Sequence, residues 1–275
     1  MTPLFLVDGH HQLYRAWFGF PARITSRDKC RDLTGVFGFL ALARKAHLLH
    51  GVGHELVVVF DGEYAIDTRA ATDADYKANR AHVDHTPIKS LQPVKAALDV
   101  AGVAWIELDA HEGDDVIATL THTALASGRA TVCYSGDRDL YQLLDHPDVT
   151  ILTPNRTVVT GADIYRRYGV LARQWPDYRA LTGDPADNIP GIRGIGPKTA
   201  AALLAGGWHL DDLPGSPRLR TPRGSAITNQ WEQLLRWREL IRLDSRAPAP
   251  PAAVTGNPTA PMPVAAQLLE HLDLW

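Results

Sequence analysis

Along the first half of the chain the apolar residues gather in short unbroken runs. Leu4-Phe5-Leu6-Val7, Leu56-Val57-Val58-Val59-Phe60 and Thr131-Val132-Cys133-Tyr134 have the length of strands. Runs without polar alternation suit strands buried on both faces of a parallel sheet. Val103 to Leu108 predicts a fourth strand. Between the runs the spacing turns helical, over Gln12 to Phe18, Gly35 to His50, Leu91 to Ala101 and Asp114 to Ala126. In the last of these, Val116, Ile117, Leu120 and Ala124 fall on one stripe. Strands alternating with helices predict an α/β fold with a parallel sheet and right-handed crossovers.

Two stretches leave this pattern. Gly62 to Ser90 is polar and poorly periodic, with Tyr76, Lys77 and Arg80 near its middle, and reads as a long loop or helical excursion. From about Tyr168 the strands stop and the chain turns helical with glycine punctuation, which predicts a second, smaller, all-α part. The expected division is therefore 1–167 and 168–275. Arg246 to Pro263 holds six prolines and reads as an extended connector before a short closing helix, Val264 to Leu272.

Composition narrows the class. With 45% hydrophobic and 21% charged residues the chain is ordinary for a core-forming soluble protein. No apolar run approaches the roughly 18 residues needed to span a bilayer, so no membrane partner is expected. Two cysteines, Cys30 and Cys133, exclude a disulfide scaffold and lack zinc spacing, so a reducing cytoplasm is the expected setting.

Three of the strands lead into aspartate. The first ends at Asp8, the second at Asp61, and the third passes through Ser135-Gly136 to Asp137 and Asp139. Glu112, Asp114 and Asp115 follow the fourth strand at the mouth of a helix. The carboxyl ends of parallel strands share one edge, where ligands bind. At least six carboxylates are thus expected in one pocket. Acids in a first helical turn complement the helix dipole and mean little alone. Together they repel one another unless a counter-charge is present, and hard divalent cations with oxygen ligands supply it. Mg²⁺ is the expected ion and Mn²⁺ its substitute, two of them about 4 Å apart suiting phosphodiester hydrolysis. The pairs His10-His11 and His82 with His85 lack a third ligand at helical spacing, and a surface or core place is expected for them. Neither a Gly-x-Ser-x-Gly elbow nor a nucleophilic cysteine context occurs.

The segment from Leu181 to Ala200, LTGDPADNIPGIRGIGPKTA, is the most informative. Gly191, Gly194 and Gly196 permit a tight turn with backbone close to a ligand, and Pro197 opens a helix. Exposed amides there, with Lys198 as a point charge, would grip phosphate without reading base sequence. Asp184 and Asp187 lie just upstream. A P-loop fails because Pro197 separates Gly196 from Lys198 and no buried strand precedes the glycines, and a dinucleotide fingerprint fails for the same lack of a strand. The formal net charge of -3 becomes +5 for the rest of the chain once eight of these acids are set aside. A basic surface beside an acidic pocket fits a nucleic-acid partner.

Read in order, Leu6-Val7-Asp8-Gly9-His10-His11, Val58-Val59-Phe60-Asp61, Glu112-Gly113-Asp114-Asp115-Val116, the run from Gly136 to Leu144 and the run from Gly183 to Lys198 resemble the bacterial and phage 5′-nucleases. These comprise the 5′-3′ exonuclease domain of DNA polymerase I and stand-alone flap endonucleases, and the resemblance covers nearly the whole chain. It implies a PIN-like parallel twisted sheet flanked by helices, a helical arch over about 62–90, and a C-terminal helix-three-turn-helix with its hairpin at 189–200. It further implies that Asp8, Asp61, Glu112, Asp114 and Asp137 frame one metal ion and Asp139, Asp184 and Asp187 a second, with Asp115 behind them. Lys77 and Arg80 would steer the scissile phosphate, Tyr76 would stack on a base, and Arg15 would contact phosphate. Gly194, Gly196, Lys198 and Thr199 would grip duplex DNA. A K⁺ ion would sit on the carbonyls of Leu181, Thr182, Pro190, Ile192 and Ile195.

The expected activity is two-metal hydrolysis of DNA carrying a 5′ flap, nick or overhang, or an RNA-primer junction, by a monomer. The chain stops at Trp275 without room for a polymerase domain, so a stand-alone enzyme and an excised domain are both open. A single-strand ribonuclease on a related fold is the rival enzyme, and it leaves the glycine hairpin unexplained. A DNA-structure-binding protein without catalysis is the rival of another class, and it leaves the crowded carboxylates unexplained.

Overall fold

In the computed structural model, which describes residues 1–65, 73, 75–79, 83–249 and 254–275, the apolar runs form the centre of a six-stranded sheet. The strands are β1 (Leu4–Asp8), β2 (Glu55–Asp61), β3 (Ala104–Leu108), β4 (Thr131–Tyr134), β5 (Val149–Leu152) and β6 (Val158–Val159), in the order β3-β2-β1-β4-β5-β6. The first five run parallel. Asp8 stands opposite Val59, Asp61 opposite Leu108, and Val7 opposite Tyr134. The strand order reverses beside β1, so Asp8 sits at the switch point where a parallel sheet opens a crevice.

The sheet is mixed rather than wholly parallel as the sequence predicted. β6 runs antiparallel to β5, pairing Val159 with Ile151. Its connection is the short turn in which the Thr153 amide donates to the Thr157 carbonyl at 2.9 Å. Only an antiparallel return fits so short a link.

Helices cover both faces because successive strand residues point to opposite sides. Phe5, Val7, Leu56, Val58 and Phe60 pack under α1 (Gly9–Gly19), α2 (Thr34–His50) and α3 (Leu91–Val100). Leu4, Leu6, Val57, Val59 and Cys133 pack under α4 (Gly113–Ala126) and the helices that follow. These are α5 (Gly161–Tyr168), α6 (Trp175–Thr182), α7 (Pro197–Leu203), α8 (Pro222–Asn229) and α9 (Trp231–Ile241). Tyr141 meets Trp175 with ring centroids 5.0 Å apart, which joins the segment carrying Asp139 to the helix that leads into Asp184.

The closing helix α10 (Ala265–His271) does not stay with the helical half. Met262, Leu268 and Leu269 are buried in the same cluster as α2 and the sheet, so the end of the chain returns to the sheet layer. The connector before it crosses the amino end of β2, where Gly256 donates its amide to Glu55 at 2.9 Å. Within the arch expected over 62–90, residues 66–72, 74 and 80–82, Arg80 and His82 among them, lie outside the described residues. No helix among the described residues is long and apolar enough to cross a membrane.

Candidate metal centre and nucleic-acid interface

The carboxyl edge of the sheet gathers the acids as the topology requires. Asp8 closes β1 and caps α1, accepting the His11 amide at 3.0 Å on Oδ1 and the Ser135 hydroxyl at 2.6 Å on Oδ2. Ser135 also accepts the Asp137 amide at 2.9 Å, so one buried hydroxyl fixes acids from two strands. Asp61 closes β2 and accepts the Gly113 amide at 2.7 Å, which ties it to the start of α4 beside Glu112 and Asp114. The Asp61 amide donates to His10 Nδ1 at 2.9 Å.

Crowding shows in the acidities. Burial, then the charges of Asp61 and Asp137, raise the Asp8 carboxyl to about 7, against the Ser135 and His11 hydrogen bonds that lower it. Asp114 is raised well above the carboxylate range by burial and by Asp137, Asp8 and Asp61. Asp139 is raised by burial and by Asp137, Asp187 and Asp184. Asp137 thus belongs to both neighbourhoods, one at β1, β2 and α4, the other at the entry to the helical half.

The second neighbourhood is the tighter. Asp139, Asp184 and Asp187 are all buried, and each offers an oxygen within 4.8 Å of the others. Asp139 Oδ1 is buried without a hydrogen-bond partner. An orphaned carboxylate oxygen facing two further buried carboxylates is a donor set for a hard divalent cation. Arg179 takes part of the charge, its Nε donating to Asp184 Oδ2 at 2.9 Å. No three of the first five acids close to the same spacing among the described residues.

Between the two neighbourhoods lies a cation from the arch. Lys77 Nζ is 2.6 Å from Glu112 Oε2 and 4.0 Å from Asp187 Oδ1. Tyr76 is buried, its hydroxyl donating to Glu112 Oε1 at 3.3 Å. Its ring is therefore not presented to solvent, as base stacking requires. Asp115 lies one residue round α4 from Asp114, and its Oδ1 accepts the Asp244 amide at 2.8 Å, just beyond the end of α9. Arg15, on α1, is half-buried at the same sheet edge, donating to the Pro154 carbonyl at 2.7 Å and to the Tyr134 hydroxyl.

The glycine hairpin follows directly. Gly183 and Gly191 have φ of 87° and 70°, and a Cβ on Gly191 would stand 2.4 Å from the Gly183 nitrogen. Only glycine allows the two backbones to lie so close. Ile192 donates its amide to the Leu181 carbonyl at 3.0 Å, and Ile195 to the Ile192 carbonyl at 3.0 Å. These bonds join Leu181, Ile192 and Ile195, and the Pro190 carbonyl oxygen lies 2.7 Å from where a Cβ on Gly183 would stand. Beyond them Gly194, Gly196 and Lys198 are exposed and Thr199 is half-buried at the start of α7. Arg193, exposed in the same turn, was not singled out by the sequence, although a cation among the glycines was visible there. Ser135 and Arg179 were also missed, because an acid's supporting partner carries no motif of its own.

Models of two families match nearly end to end. The 5′-3′ exonuclease N-terminal resolvase-like domain matches residues 3–169, and the 5′-3′ exonuclease C-terminal SAM fold matches residues 170–259. A thermostable DNA polymerase I of Thermus thermophilus is 40% identical over 220 residues, 78% of this chain and 26% of the polymerase. The chain thus spans about a quarter of the length of such relatives. A 5′-3′ exonuclease of Aquifex aeolicus (strain VF5) is 38% identical over 209 residues, covering 74% of this chain and 69% of the relative. Among solved structures, a bacteriophage T5 protein co-crystallised with metal ions superposes with a TM-score of 0.71 at 20% identity, over 99% of each chain. The bacteriophage T5 flap endonuclease in a complex with DNA and metal ions gives 0.69 at 18% identity, over 99% of this chain and 98% of that one. At such identities the structures speak for the fold. With its acids at a PIN-type sheet edge and its two halves matched in turn, the chain belongs to the 5′-3′ exonuclease family.

Proposed function

We propose that this protein is a structure-specific 5′ nuclease that hydrolyses DNA phosphodiesters to leave 5′-phosphate and 3′-hydroxyl ends. The observation that carries the reading is the convergence of Asp139, Asp184 and Asp187 around an orphaned oxygen, with Asp137 linking them to the acids at β1 and β2. Asp139, Asp184 and Asp187 would hold one divalent ion, and Asp8, Asp61, Glu112, Asp114 and Asp137 a second, with Mg²⁺ the natural occupant and Mn²⁺ its substitute. Bound there, the ions supply counter-charge for the phosphate and make water a better nucleophile at neutral pH.

The chain's own residues do the rest. Lys77, between the two acidic neighbourhoods, stabilises charge on the scissile phosphate once it leaves Glu112, and Arg80 assists it from the arch. Gly194, Gly196, Lys198 and Thr199 hold the phosphate backbone of a duplex, and Arg15 holds a phosphate at the sheet edge. A K⁺ ion on the carbonyls of Leu181, Thr182, Pro190, Ile192 and Ile195 would stiffen that hairpin. The substrate is DNA with a 5′ flap, nick or overhang, RNA-primer junctions included, and the enzyme acts as a cytoplasmic monomer in replication or repair. The T5 flap endonuclease's complex with DNA supports DNA as the partner.

The test compares a 5′-labelled flap duplex with the matching single strand, in Mg²⁺ and in chelator. Metal-dependent cutting near the junction that spares the single strand is expected. Equal cutting of both would replace this reading with a single-strand nuclease, and tight binding without product would replace it with a DNA-binding protein.

A further inference from the structure

Lys77 reaches the acids on a strained stretch of backbone. Its φ is 53°, a left-handed conformation that a lysine holds only when neighbours fix it. The neighbours belong to the turn that carries Asp184 and Asp187. The Lys77 amide donates to the Asp187 carbonyl at 3.1 Å. Asn79 Nδ2 donates to the Pro185 carbonyl at 2.8 Å, and Asn188 Nδ2 donates to the Asp75 carbonyl at 2.8 Å. The arch and the turn thus exchange bonds in both directions across residues 75–79 and 185–188.

The turn is a firm base for this. Asp184 and Ile189 exchange both backbone bonds, at 2.7 and 2.8 Å, and Asp184 Oδ1 accepts the Ala186 amide at 2.9 Å. Asn188 itself has φ of 60°, a conformation asparagine tolerates better than most residues, and this φ aims its amide at the arch. Immediately after it the glycine hairpin begins.

We propose that Asn188 is a positioning residue that clamps the stretch of the arch from Asp75 to Asn79, together with Asn79, so that the Lys77 ammonium is seated between the two acidic neighbourhoods. The clamp sets where the cation meets the phosphate, and it ties that position to the segment that grips the duplex. The inference rests on the nuclease reading for its kinetic part and on geometry alone for its structural part.

Asn188→Gly tests it, since glycine keeps the positive φ while removing the amide. Hydrogen exchange in a peptide spanning 75–79 should quicken while exchange in the sheet stays as in the parent. On a flap duplex in Mg²⁺, kcat should fall about fivefold, the worth of one modest hydrogen bond, with duplex affinity unchanged. In a Lys77→Ala background the same substitution should cost nothing further. Asn79→Ala, on the reciprocal bond, should repeat the pattern in a chain whose turn is untouched. Unchanged exchange over 75–79, or faster exchange with full kcat, would overturn the clamp, as would an equal loss in both backgrounds. A parent protein that cleaves no DNA would instead overturn the nuclease reading, and exchange would still decide whether the clamp exists.

Discussion

Asp137 Oδ1 accepts the Asp139 amide at 2.8 Å, while its charge faces Asp8 and Asp114 on one side and Asp139 on the other. Asparagine would keep that acceptor and remove the charge. Asp137→Asn should therefore lower metal-dependent cleavage by about 100-fold or more. In chelator it should raise the melting temperature, because one repulsive charge leaves a crowded site. Unaltered cleavage would remove Asp137 from the site, and a lower melting temperature would assign it a structural role. Asp8 carries a second prediction. Its carboxyl is raised from 3.8 to about 7, so the ion-free fold keeps a proton that the unfolded chain has lost. The ion-free protein should thus lose stability as pH rises through that window. A divalent ion must displace the same proton, beside any that Asp114 and Asp139 keep, so calorimetry in buffers of different ionisation heat should show more proton release at pH 6 than at pH 8, the difference being the share of Asp8. Equal release at both pH values would contradict the assignment.

At the scale of elements, the hairpin separates two kinds of glycine. Gly191 has positive φ and no room, with the Gly183 nitrogen 2.4 Å from where a Cβ would stand. Gly194 also has positive φ, 86°, but faces open space. Gly194→Ala should cost only the conformational strain, about 1 kcal/mol in urea unfolding. Gly191→Ala should cost at least twice that and weaken duplex binding, because the backbones at 183 and 191 must part. Equal costs would show that the close approach is unimportant. The glycines were legible because a positive φ leaves its mark on residue type. The buried strands were legible from apolar runs, and their carboxyl ends then placed Asp8 and Asp61. β5 and β6 were not, being four and two residues long with no sustained run. Nor was the pairing of Lys77 with Glu112, since contacts 35 residues apart follow from topology rather than spacing.

The whole molecule is closed at the end of the sheet opposite the acids. The connector meets Glu55 at the amino end of β2, where the Thr259 amide also donates to the His54 carbonyl at 2.9 Å. α10 then covers α2, Trp275 stacks on Phe37 with centroids 5.8 Å apart, and Arg27 pairs with Glu270 at 2.5 Å. Asp8 and Asp61 stand at the other end of their strands, so the closing segment touches none of the acids and borders the site only through α2 and the sheet beneath it. Removing residues 260–275 would uncover the side of α2 at Phe37 and Arg44 and forfeit the burial of Met262, Leu268 and Leu269. The loss should be on the order of 4 kcal/mol, part of the burial being recovered by relaxation. The urea midpoint should fall accordingly, while the cleavage rate per folded molecule, measured at low temperature, should match that of the full chain. A shortened chain that remains folded but cleaves slowly would show that the closing segment acts on the site, through α2 and its neighbour α1 or through the sheet.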